Sequence, residues 1–103
     1  MHKLAFYVPE SHLESVKNAL FAIGAGKQGH YDRCAWQTKG TGQYRPLENS
    51  QPFKGQMDHV STEPEFLVEM ICEDALIDLA INTLKKSHPY ETPAFSCWPV
   101  RIT

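Results

Sequence analysis

The sequence predicts an α+β fold of the ferredoxin-like βαββαβ type, an antiparallel sheet with two helices on one face and a long insertion between the middle strands. Strand-like alternation at residues 3–8, 32–39, 65–73 and 94–100 is the first observation behind it. The second is helical spacing at about residues 11–23 and 73–86, which places one helix after the first strand and one after the third. The third is size and composition: 103 residues, 42% hydrophobic and 21% charged, suit one compact domain over residues 1–103.

Each element has its own local justification. In residues 3–8, Leu4, Phe6 and Val8 alternate with Lys3, Ala5 and Tyr7, and Pro9 ends the strand. Ser11 and Glu14 have the spacing of a capping box, which starts a helix whose stripe is Leu13, Val16, Leu20 and Ile23 and whose stop is Gly24. Residues 32–39 pair Cys34 with Trp36 on one face of a second strand. Residues 65–73 set Phe66, Val68, Met70 and Cys72 against Glu65, Leu67, Glu69 and Ile71, the clearest alternation in the chain. Glu73 and Asp74 open the second helix, with a stripe of Leu76, Leu79, Ala80, Thr83 and Leu84 and with Lys85 and Lys86 at its negative end. Pro99 cannot donate a ladder hydrogen bond, so the last strand belongs at a sheet edge. Two helices cover one sheet face only. Ala5, Tyr7, Leu67, Ile71 and Trp98 fall on the other, an apolar set that calls for cover by the long segment or by a second copy of the chain.

Charge and cysteine usage narrow the function classes. A formal net charge of -2 gives no field for nucleic acid, and no segment approaches the roughly 20 apolar residues of a membrane span. The short run Leu4–Val8 is not a secretory core, so the cytoplasm is the expected compartment. Cys34, Cys72 and Cys97 are odd in number and widely spaced, which fits reduced core thiols rather than disulfides or a zinc ribbon.

Three stretches offer chemistry. Gly24 to Gly29 matches G-x-G-x-x-G, yet it follows a helix and leads to a strand, the reverse of a dinucleotide-binding turn. Gly40, Gly42, Tyr44 and Arg45 form a candidate ligand site, with backbone N–H groups and a guanidinium for an anion; ordinary turn chemistry is the alternative. His88 and Glu91, with His59 from the long segment, form a candidate site for a divalent metal, and Zn(II), Cu(II) or Ni(II) suits such N/O ligands. The alternative is architectural: His88 meets the last helix carbonyls, Pro89 stops the helix and Glu91 is solvated or pairs with Lys85 or Lys86. No nucleophile motif or catalytic triad is visible.

Gly26-x-x-Gly29-x-Tyr31-x-x-Cys34-x-Trp36, Gly40-x-Gly42-x-Tyr44-Arg45-Pro46-Leu47, Pro52-Phe53-x-Gly55 and His88-Pro89-Tyr90-Glu91-x-Pro93-Ala94-Phe95 together resemble the insert domain of the Ngg-one-interacting-factor-three family. Its members are also known as dinuclear-metal-centre or GTP-cyclohydrolase-type-2-like proteins. That insert is similar in fold to the nitrogen-regulatory PII proteins and to the trimeric CutA cation-tolerance proteins, which carry a similar His-Pro-Tyr-Glu-x-Pro stretch. The family's dimetal ligands lie in flanking halves outside these 103 residues, so the resemblance implies no hydrolase or cyclohydrolase activity here. It implies an oligomeric PII-like domain, with a trimer favoured and residues 38–64 standing where PII proteins place their effector- and partner-contacting loop. The expectation is therefore a non-enzymatic sensing or regulatory domain that binds a small effector or a divalent metal. A divalent-cation tolerance protein, an adaptor docking through residues 38–64 and a residual nucleotide hydrolase are the alternatives.

Overall fold

The computed structural model describes residues 1–102. Its elements are β1 (His2–Pro9), α1 (Leu13–Ala22), β2 (Trp36–Tyr44), β3 (Ser61–Cys72), α2 (Ile77–Ser87) and β4 (Phe95–Pro99), the expected βαββαβ order. One antiparallel sheet results, in the order β2-β3-β1-β4. The pleat brings apolar residues of neighbouring strands to the same face: Phe6 lies between Val68 and Phe95, and Leu4 between Met70 and Cys97. Leu13, Val16 and Leu20 of α1 and Ile77, Ala80 and Leu84 of α2 close that face into the core. Neither helix is long and apolar enough to cross a membrane, among the described residues.

Local chemistry moved several boundaries. The capping box at Ser11 does not form; Ser11 Oγ bonds His12 Nδ1 at 2.8 Å, and a 3-10 turn (Glu10–His12) precedes α1. The exit from α1 is as expected, a Schellman motif in which Gly24 N–H donates to Phe21 O and Ala25 N–H to Leu20 O. Gly24 sits at φ 104, and a β-carbon there would lie 3.1 Å from Leu76 Cδ1. Gly24→Ala should cost about 1 kcal/mol, read as a lower urea midpoint with unchanged slope.

The stripe of α2 rotates from its expected position. Ile77, Ala80 and Leu84 are buried, whereas Leu79 is exposed. Of the thiols, only Cys72 is fully buried, while Cys34 and Cys97 are partly exposed, so the expectation of three core cysteines holds for one.

The second strand begins at Trp36, later than residue 32. Cys34 N–H is bound to Gly26 O at 2.8 Å and Arg33 takes φ 55, which holds the preceding residues in a turn. Beyond Lys39 the strand runs on through Gly40 and Gly42 to Tyr44, paired with Ser61. The long segment thus adds no separate strands; it lengthens β2 and β3 and leaves residues 45–60 as the connection. Pro64 pairs with Thr41 of β2 and is accommodated because β1 ends opposite Glu65, which leaves no strand on that side.

Lys3, Ala5, Tyr7, Leu67, Glu69, Ile71 and Trp98 share the face away from the helices. Trp36 joins them from β2 and is 68% exposed, with Tyr7 at 46% and Trp98 at 41%. Ala5 is nonetheless buried, a small side chain between those of Glu69 and Ser96.

Candidate functional site

Residues 88–94 leave α2 and tie three separate parts of the molecule together. Pro89 disfavours helix at the preceding residue, and His88 accordingly takes φ -80, ψ 137 while its own N–H still reaches Leu84 O. Its imidazole turns inward and is only 6% exposed. Tyr7 N–H donates to Ala94 O where the β1–β4 ladder ends. The Tyr7 carbonyl, on the same edge, takes a hydrogen bond from His88 Nε2 at 2.6 Å. Tyr90 N–H in turn donates to His88 Nδ1 at 3.1 Å. These two bonds require the neutral Nε2–H tautomer. Burial lowers the His88 pKa, which favours that neutral form; the Tyr7 carbonyl and the Glu65 charge oppose the shift in part.

Tyr90 is the second tie. Its hydroxyl donates to Glu65 Oε2 at 2.6 Å, and Glu65 is 8% exposed. Burial, and then the Glu65 carboxylate, push the Tyr90 phenol well above its ordinary value, so it stays a donor. Gly42 completes the pocket for that carboxylate: a β-carbon at position 42 would overlap the Glu65 side chain. Glu91 is the third tie, accepting the Gln51 N–H at 3.1 Å and so holding the 45–60 connection. Tyr44 OH donates to Lys54 O at 2.9 Å, and Asp58 N–H donates to Pro46 O at 2.6 Å, closing that connection on itself.

Between the connection and the sheet lies an open cavity of about 250 Å³. Tyr7, Glu65 and Ala94 contribute from the sheet side, Gln43 to Pro46 from the end of β2, Phe53 and Lys54 from the connection, and Tyr90 to Thr92 from the tie segment. Three rings meet at its wall, with Tyr90 centred 6.2 Å from Tyr44 and 6.1 Å from Phe53. Burial, followed by the charges of Glu63 and Glu65, raises the Tyr44 pKa. Ser50 Oγ, also at this wall, is buried without a hydrogen-bond partner among the described residues.

The structure distributes the expected site residues unevenly. Tyr44 and Arg45 line the cavity, Gly42 lies beneath Glu65, and Gly40 pairs with Glu65 in the ladder with open space around it. The backbone of Gly40 and Gly42 belongs to the β2–β3 ladder, so these glycines form no anion-binding turn. His88 has both ring nitrogens engaged, Glu91 holds the Gln51 amide, and His59 is exposed on the connection. Among the described residues, no group of three His, Cys, Asp or Glu side chains is placed to hold a metal ion. Glu65, the buried carboxylate at the centre of the site, was not legible as a site residue. In the sequence it is the polar member of an alternating strand, and only the register that sets it opposite Gly40, with its carboxylate over Gly42, reveals its burial.

No family model matches the chain. It is 37% identical over 103 residues, all of its length, to 28% of a Bacillus subtilis protein named GTP cyclohydrolase 1 type 2 homolog. The chain therefore spans little more than a quarter of such relatives. Among solved structures, a Bacillus cereus protein related to NIF3 superposes with TM-score 0.82 and 30% identity, covering 96% of this chain and 25% of that one. The CutA divalent cation tolerance protein of Archaeoglobus fulgidus superposes with TM-score 0.70 and 14% identity, over 100% of this chain and 87% of that one. Bacillus subtilis GlnK gives TM-score 0.63 and 12% identity, over 96% and 83%. The fold is thus the CutA- and PII-like one, and its homologues are the GTP cyclohydrolase 1 type 2 homologs.

Proposed function

We propose, from homology to a quarter-length segment of the GTP cyclohydrolase 1 type 2 homologs, that this chain is a non-catalytic PII/CutA-like sensing domain of the cytoplasm. Its effector site is the cavity under residues 45–60, and its open sheet face packs against further copies of itself. One observation carries the reading: the same short segment, through His88, Tyr90 and Glu91, holds the sheet edge, the cavity floor and the connection at once. A ligand in the cavity touches all three, so occupancy has a direct route to the connection and to the neighbouring sheet face. The acid–base groups are committed to this framework, with His88 neutral and bonded at both nitrogens and Tyr90 held as a donor, which supports binding rather than turnover.

Hydrogen exchange of the 45–60 amides, measured with nucleotides, amino acids and divalent metals, tests the effector site. Protection by at least one class is expected. Uniform exchange with every class contradicts the proposal. For the open face, sedimentation should show an assembly larger than a monomer at micromolar concentration. Trp98→Asp, which places a charge beside Lys3 on the open face that also carries Ile71, Tyr7 and Trp36, should weaken that assembly roughly 30-fold. A monomeric wild type contradicts self-association.

A further inference from the structure

Glu65 is more than nine-tenths buried, yet no lysine, arginine or histidine pairs with it among the described residues. The nearby Lys54 ammonium is 3.8 Å from Glu63 instead. A carboxylate has about four lone-pair sites, and Tyr90 fills one on Oε2. Oε1 accepts from no group among the described residues, and Glu65 lines the cavity. This second oxygen, without a protein partner among the described residues, is not sealed from solvent, so a cation reaching it through the cavity gains both charge and hydrogen bonds.

The aromatic part of the wall suits the same charge, and the lining cations Arg45 and Lys54 are matched in number by Glu65 and Glu91. Tyr44, Phe53 and Tyr90 supply π faces that attract cations, and Lys54 Nζ already sits 6.0 Å from the Phe53 centroid. A cavity of about 250 Å³ lies below the usual range for drug-sized ligands, which selects a small body. A carboxylate with an open oxygen between rings favours a flat group with paired donors over a compact ammonium. The cavity is lined by two carboxylates, Glu65 and Glu91, and no group of three His, Cys, Asp or Glu side chains among the described residues is placed to hold an ion, which argues against a metal.

We infer that the cavity takes a small planar cation, an amidinium or guanidinium group on an apolar body, with its N–H donors on Glu65 and its flat face against Tyr44, Phe53 and Tyr90. This inference rests on the cavity being the effector site. Calorimetric titration of wild type with benzamidine, neutral benzamide and anionic benzoate separates charge from shape. Benzamidine should bind saturably at millimolar concentration or below, benzamide at least about tenfold more weakly, and benzoate not at all. Glu65→Gln, checked as folded by circular dichroism, should weaken benzamidine roughly 30-fold. Equal affinity in the two proteins, or benzoate matching benzamidine, overturns the inference. If Glu65→Gln does not fold, the ranking of the three probes on wild type decides alone. Exchange of the 45–60 amides separates the two levels: protection by benzoate in preference to benzamidine upholds the effector site and overturns the cation, while protection by none of the three overturns the cation and adds nothing to the support for the site.

Discussion

His88→Ala should lower the unfolding free energy by about 3 kcal/mol and the melting temperature by roughly 15 °C. The substitution strips the Tyr7 carbonyl and the Tyr90 N–H of their partners at a buried position and removes the ring packed 4.9 Å from that of Tyr90. The effect is also pH-dependent, with a definite sign. The folded-state pKa of His88 lies below its ordinary value of 6.5, so the folded protein resists a proton that the unfolded chain accepts. The contribution of neutral His88 is complete above about pH 6.5 and is lost as pH falls through the lowered folded value, by at most about 1.4 kcal/mol per pH unit. The nearby charges act in opposite directions, Glu65 raising the His88 pKa and His12 lowering it. Urea unfolding at about pH 7.5 and about pH 5.5 should show the gap between wild type and His88→Ala narrowing on the acid side. A gap that widens there contradicts a buried neutral imidazole.

Gly42→Ala should cost about 2 kcal/mol although alanine is the better strand residue. A β-carbon at position 42 meets the Glu65 carboxylate, so that side chain must shift, and the expected shift takes it off the Tyr90 hydroxyl. A charge-assisted bond at a buried site is worth roughly 1.5–3 kcal/mol, which outweighs the strand gain. A spectroscopic change accompanies the loss of stability. With the carboxylate displaced, the Tyr90 phenol should ionise at a lower pH than in wild type, moving back towards the ordinary value of 10.0. Tyrosinate absorbance during alkaline titration follows this directly. An unchanged titration together with unchanged stability means that Glu65 has another place to go.

The parts of the fold that were legible in the sequence are those set by local periodicity. The alternation of Phe66, Val68, Met70 and Cys72 fixes both the existence and the buried face of β3, and Pro99 lies on the edge strand β4. Boundaries fared worse because distant partners decide them. Gly40 and Gly42 read as a turn, but they continue β2 because β3 offers Glu65 and Glu63 as ladder partners and Glu65 needs the missing side chain at position 42. Ser11 has a capping sequence, yet its hydroxyl finds His12 first.

The site was half legible for the same reason. His88, Glu91, Tyr44 and Arg45 stood out by residue type, and each lies in the cavity wall or in the segment that frames it. What His88 does depends on Tyr7, 81 positions away in sequence, a relation that no local pattern contains. Glu65 was hidden by its place in an alternating strand, where an outward carboxylate is the ordinary expectation.

His88 and its neighbours frame the cavity as a neutral, hydrogen-bonded clamp. Two-bond 1H–15N correlation spectra of the histidine rings, recorded with and without Zn(II), test it most directly. The clamp predicts a protonated Nε2 and an unprotonated Nδ1 for His88, titrating below 6.5 and unmoved by the metal. A protonated Nδ1, or a Zn(II)-dependent shift of either His88 nitrogen, would contradict it.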